Sequence, residues 1–137
     1  MRKNVLFLCT GNSCRSQMAE GWLRQLAGDR FDAYSAGIEA HGKNPRAIAV
    51  MDESGVDISG QQSEVLRLEL LEKIDLLVTV CGHADQFCPD LPVRCRKEHW
   101  PFDDPAKAEG SEDQVLVEFR SVRDQIKQRI EQFVTQD

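Results

Sequence analysis

Runs of lysine or arginine are missing from this 137-residue sequence, and its formal net charge is −6. An acidic chain repels polyanions, which argues against a nucleic-acid surface, and no basic patch is available for an anionic membrane. No apolar run approaches the roughly 20 residues of a membrane span. The N-terminal Met1-Arg2-Lys3-Asn4 leads into an apolar stretch that meets Cys9 and Gly11 too soon for a signal peptide. Internal repeats, low-complexity tracts and linkers are absent too. These absences lead us to expect a cytoplasmic protein with one domain over residues 1–137. Five cysteines is an odd number. Without a secretory leader it argues against structural disulfides and raises redox or nucleophilic roles.

What is present is an alternation of strands and helices. Residues 3–8 read as a buried strand, and residues 17–26 as a helix with Met18, Trp22 and Leu26 at helical spacing, stopped by Gly28. Residues 31–36 form a second strand, ended by Gly37. Asn44-Pro45 opens a helix that turns Ile48, Val50 and Met51 inward and runs to Gly55. Ser63 is read as the N-cap of a helix over 64–71. The near-continuous apolar run 74–80 suits a central parallel strand covered on both faces. Residues 94–99 are a weaker strand. Residues 113–134 form a long amphipathic helix with Val115, Phe119, Val122, Ile126, Ile130 and Phe133 on one stripe. The fold class is therefore α/β: a four-stranded parallel sheet with right-handed crossovers between helical layers. Ligands in such folds sit at the carboxyl ends of strands. The first strand ends at Cys9 and the third at Cys81, so the two should be neighbours.

The segment from Cys9 to Ser16 reads Cys-Thr-Gly-Asn-Ser-Cys-Arg-Ser and turns a strand into a helix. Backbone N–H groups of Thr10, Gly11, Asn12, Ser13, Cys14 and Arg15 can converge on a tetrahedral oxyanion there, aided by the helix dipole. Arg15 can hold two oxygens in a planar fork. The same field favours the thiolate of Cys9, which makes it the nucleophile. Asn12 is expected in a left-handed or strained conformation, tying the loop through its amide. Ser16 can donate to the Cys9 thiolate. Asp104, held extended by Pro105, can hang over the cradle as a general acid, with Asp103 capping the loop.

Cys81 and Cys88 flank Gly82 and about one helical turn. With Cys9 they supply one nucleophile and two further thiols, each able to attack the sulfur formed before it. They are redundant for hydrolysis but sufficient for a two-electron reduction. The blander reading of Cys88 is a small buried hydrophobe, and that reading is preferred for Cys95 and Cys14. The spacing Cys-x-His-x4-Cys-x6-Cys from Cys81 to Cys95 is not a paired zinc pattern. His83 and His99 read as surface or strand residues, and His41 is given no role.

The loop of residues 9–16 with Gln17-Met18-Ala19-Glu20-Gly21, Tyr34-Ser35-Ala36-Gly37, Val78-Thr79-Val80-Cys81, Cys88-Pro89 and residues 98–105 closely resembles the thioredoxin-coupled arsenate reductases, which share the low-molecular-weight protein tyrosine phosphatase fold. The resemblance implies a three-layer αβα domain and a cycle on arsenate. Cys9 attacks the oxyanion and Asp104 protonates the departing oxygen. Cys81 then attacks the Cys9 sulfur and arsenite leaves. Cys88 resolves a Cys9–Cys81 disulfide, and thioredoxin reduces the resulting Cys81–Cys88 disulfide. Phosphate and sulfate are implied as competing oxyanions, and the state as a monomer without a tightly bound cofactor. Some relatives hold potassium beside the loop; Asn12, Glu20 and Ser35 match three of its ligands here. The fourth position is Glu64, and a nearby histidine is replaced by Gln61. The rivals are a tyrosine phosphatase, which usually has tyrosines where Ala106-Lys107-Ala108 stand, and a silent anion-binding module.

Overall fold

The computed structural model describes residues 2–86, 88, 91 and 95–136. Strand β1 (Lys3–Cys9) is the axis of the fold, because from Val5 onward every residue is buried. It is flanked by β2 (Phe31–Gly37) and β3 (Leu76–Thr79), with β4 (Arg96–His99) outside β3, and all pairings are parallel. The strand order β2-β1-β3-β4 reverses its direction of travel at β1. The crevice beyond the carboxyl ends of β1 and β3 is therefore the switch point where such sheets bind ligands. Leu8 pairs with Thr79, and Val80 N–H donates to Leu8 O at 3.0 Å, so Cys9 and Cys81 leave the sheet side by side.

Helix α1 (Arg15–Ala27) begins two residues earlier than its periodicity suggests and is buried continuously from Ser16 to Leu23. Leu26 faces solvent, and Leu23 takes the inward position that spacing had given it. Asn44 caps α2 (Pro45–Glu53) by accepting from Arg46 N–H at 2.8 Å, and Gly55 ends the turn with φ +80°. Ala47, Val50 and Met51 point inward, while Ile48 is half-buried. The expected stripe of α5 (Glu112–Gln136) is the buried set, from Val115 to Phe133. That helix packs against α1 and α2. Phe133 bridges the layers, with ring centroids 5.2 Å from Phe31 and 5.6 Å from Trp100, which in turn lies 5.9 Å from Phe7.

The helix expected over 64–71 is cut to α3 (Leu68–Glu72). The backbone of 64–66 is instead drawn alongside β2: Gly37 N–H donates to Glu64 O at 2.8 Å, and Leu66 N–H to Gly37 O at 2.9 Å. Ser63 caps no helix; its hydroxyl contacts Gly11 O and accepts from Gly42 N–H. A turn after Cys81 forms α4 (Gly82–Gln86), packed on β1 and β3. The start of the expected strand at Arg94, Pro89 of the Cys88-Pro89 motif, and the chain ends Met1 and Asp137 lie outside the described residues. No helix among the described residues is long and apolar enough to cross a membrane.

Candidate active site

Residues 10–14 bridge β1 and α1, and the loop is held from behind by hydrogen bonds to its own carbonyls. Glu39 N–H donates to Thr10 O, His41 N–H to Gly11 O and Asn44 N–H to Ser13 O, each at 2.8–2.9 Å. Asn12 has φ +49° and is fully buried. Its Nδ2 donates to Ser16 Oγ at 3.0 Å and its Oδ1 accepts from Glu64 N–H at 2.7 Å, which offsets the cost of the left-handed backbone. Gly11 and Gly37 are required by close approach: a Cβ on Gly11 would fall 2.3 Å from His41 Nδ1, and one on Gly37 2.8 Å from Asn12 N.

Arg15 opens α1 and turns back over the loop. Its Nη1 donates to Phe102 O at 2.9 Å, and Nη2 lies 3.6 Å from Asp104 Oδ2. Its Nε is buried and, among the described residues, has no hydrogen-bond partner. A buried cationic donor left unpaired is costly, so the cradle is built for an anion. Asp104 is extended, as Pro105 requires, and its Oδ1 accepts from Ala106 N–H at 3.0 Å. Capping here thus falls to Asp104 rather than to the exposed Asp103.

All five cysteines are free thiols. Cys9 and Cys81 are both buried and hydrogen-bond to each other. That bond holds Cys81 down to about 4, and the same bond, with burial, pushes Cys9 far above the thiol range; Arg15 favours the charged form of both. Two thiols in such close contact titrate as a pair rather than singly. Cys81 Sγ also accepts from Ala84 N–H at 3.4 Å and lies 3.3 Å from Thr10 Oγ1. Burial raises Cys88, which is half-buried, and pushes Cys14 up to about 12. Cys14 and Cys95 are buried, and Cys95 Sγ donates to Arg96 O.

Behind the loop, a cleft of about 530 Å³ is bordered by Glu20, Arg24, Ser35, Gln61 and Glu64. Three of the four residues expected to hold potassium, Asn12, Glu20 and Ser35, have side-chain oxygens engaged by protein groups. Ser35 Oγ donates to Glu20 Oε1 at 2.6 Å, and Arg24 Nη2 pairs with Glu20 Oε2. Asn12 is tied to Ser16 and Glu64 as above. The guanidinium of Arg24 supplies the positive charge that Glu20 needs, so these residues do not form an open oxygen cage for the ion.

Several residues at the site had no hydrogen-bonding role assigned from the sequence. Gln17 is fully buried and donates through Nε2 to Asn12 O at 3.1 Å and Gln62 O at 2.9 Å. Gln61 Nε2 donates to Gln17 Oε1 at 2.8 Å, while Gln61 Oε1 accepts from Arg24 Nη1 at 2.7 Å. His41 lies over Gly11, and His83 Nδ1 sits 3.0 Å from Thr10 Oγ1. Each role depends on segments far apart in the chain, so no local pattern announces it.

The low molecular weight phosphotyrosine protein phosphatase family matches residues 4–136. An arsenate reductase of Halalkalibacterium halodurans is 57% identical over 132 residues, covering 96% of this chain and 95% of that protein. A solved arsenate reductase in its phosphate-binding state superposes with a TM-score of 0.78 at 36% identity, covering 98% of each chain. A thioredoxin-dependent arsenate reductase of Corynebacterium glutamicum has a TM-score of 0.78 at 26% identity, over 98% of this chain and 61% of its own. With its cysteine–arginine loop, its sheet order and these likenesses, the chain belongs to the low molecular weight phosphotyrosine protein phosphatase family, in the arsenate reductase branch.

Proposed function

We propose that this protein reduces arsenate to arsenite through Cys9, Cys81 and Cys88, with thioredoxin as electron donor. The observation that carries the reading is the pair of buried free thiols, Cys9 and Cys81, at the neighbouring carboxyl ends of β1 and β3, with Arg15 favouring the charged form of both. A hydrolase uses one thiol; a second within hydrogen-bond reach makes a disulfide the accessible product. The names of the relatives specify arsenate among tetrahedral oxyanions.

The oxyanion enters the loop 10–15 and is held by backbone N–H groups and Arg15. The proton of the thiol pair moves along its one hydrogen bond onto Cys81, and the Cys9 thiolate attacks arsenic. Asp104 gives its proton to the departing oxygen, which leaves as water. Ser16 accepts from Asn12, so its own O–H is available to donate to the Cys9 sulfur. Cys81 then attacks that sulfur. The S–S bond forms, the S–As bond breaks, and its electron pair stays on arsenic, which falls from +5 to +3. Cys88 attacks Cys81 and frees Cys9. This exchange requires the α4 segment to rearrange, and a dithiol of thioredoxin reduces the final disulfide.

The test is arsenate-dependent NADPH oxidation with thioredoxin and thioredoxin reductase, for the wild type and for Cys88→Ala. Turnover in the wild type and at most one cycle in the variant supports the relay. Sustained turnover without Cys88 removes it from the cycle. Hydrolysis of aryl phosphates without any arsenite returns the protein to the phosphatases.

A further inference from the structure

His83 stands two residues after Cys81, on the first turn of α4. Its Nδ1 lies 3.0 Å from Thr10 Oγ1, and the same hydroxyl lies 3.3 Å from Cys81 Sγ. Thr10 follows Cys9 at the end of β1, so two strand ends bring three groups into line: a buried thiol, a hydroxyl and an exposed imidazole. Cys81 is 5% exposed, whereas His83 is open to solvent.

The chemistry above needs such a line. Cys9 attacks as a thiolate, which leaves the shared proton on Cys81. Once the Cys9 sulfur carries the oxyanion, Cys81 must lose that proton before it can attack, and its burial keeps bulk water from taking it directly. A threonine hydroxyl accepts one proton while it passes on its own. A neutral imidazole protonated at Nε2 presents Nδ1 as an acceptor.

We propose that His83 takes the Cys81 proton through the Thr10 hydroxyl and so releases the Cys81 thiolate for the second step; the inference rests on the three-thiol reading. The S–H proton of Cys81 passes to Thr10 Oγ1, the hydroxyl proton passes to His83 Nδ1, and the exposed imidazolium returns it to solvent. The new thiolate is met by Ala84 N–H, 3.4 Å from the sulfur. It then forms the bond to the Cys9 sulfur as the S–As pair stays on arsenic. In this path His83 acts through Thr10 rather than on the sulfurs directly. It is thus a proton-positioning residue, set in a helix that an oxidised Cys81–Cys88 pair would have to disturb.

The test is rapid-quench measurement of arsenite release in a single turnover without thioredoxin, for the wild type, His83→Ala and His83→Gln. Phosphate affinity is measured alongside as the check on the cradle. We expect release to slow at least about tenfold in both variants, the low side of general acid–base effects, with phosphate affinity unchanged. Added imidazole should restore His83→Ala. An unchanged rate overturns the proposal. So does recovery in His83→Gln, or a loss that imidazole does not repair, since a structural hydrogen bond would then explain the residue. Absence of arsenite from the wild type would instead overturn the three-thiol reading itself.

Discussion

Asn12 shows how much one side chain can carry. Its φ of +49° is a conformation that costs a non-glycine residue about 1–2 kcal/mol. The amide repays this by joining Ser16 to Glu64 inside the protein. Asn12→Ala keeps the strain and leaves a buried N–H without its acceptor, so we expect a loss of about 2–4 kcal/mol in urea unfolding. Asn12→Gly relieves the backbone and should lose less. If the two variants are equally destabilised, the left-handed conformation is not part of the cost. Arg24 makes a different point at the same scale. It is half exposed, so its pairing with Glu20 contributes less than about 1 kcal/mol. Its larger effect is on ion preference. Arg24→Ala strips the counter-charge from a buried carboxylate, and we expect potassium to raise the melting temperature of the variant over sodium at equal ionic strength. The wild type should not distinguish the ions. Calorimetry in the two salts decides it.

Helix α1 owes its place to close packing as much as to its sequence pattern. Gly21 sits in mid-helix, where alanine would be favoured by about 1 kcal/mol on propensity alone. A Cβ there would fall 2.6 Å from Ile58 Cγ2 and 3.3 Å from both Met51 Cε and Val56 Cγ1. Ile58 is fully buried and β-branched, so it cannot swing aside cheaply. The clash wins: Gly21→Ala should destabilise by about 1–3 kcal/mol, and a more stable variant would mean that the Ile58 turn yields. The shortened α3 teaches the reverse lesson. Local sequence favours a helix from Ser63, yet the Asn12 amide captures Glu64 N–H and the Gly37 peptide pairs on both sides of Val65. Tertiary hydrogen bonds overrode a helical tendency worth tenths of a kcal/mol per residue.

Across the whole molecule, buried thiols set an alkaline limit. Burial, with Asp104 as a lesser cause, pushes Cys14 up to about 12, whereas in the unfolded chain a thiol ionises near about 8.5. Between these values the unfolded state sheds a proton that the folded state keeps, so stability falls as pH rises through that window and is unaffected below it. The slope from this one group approaches about 1.4 kcal/mol per pH unit. Cys14→Ala should be less stable at pH 7 and lose stability more slowly above pH about 9. Urea titrations at a series of pH values test this, and parallel curves for the two proteins would assign the limit elsewhere.

The amino-acid sequence by itself determined the alternating α/β order, the stripe of α5 and the loop from Cys9 to Ser16, because each is written in neighbouring residues or in a fixed period. It also placed Asp104 before a proline that holds it extended. Only the tertiary structure decided that Cys9 and Cys81 leave the sheet side by side, that Ser35 of β2 donates to Glu20 of α1, and that His83 reaches Thr10. These contacts join residues brought together by the parallel pairing of β1 with β3 and by the return of α1 beside β2. Periodicity is a property of one segment. A pair of facing thiols, a carboxylate held by a hydroxyl from the next strand and a line of hydrogen-bonding groups are properties of the space between segments, and that space exists only after the sheet has formed.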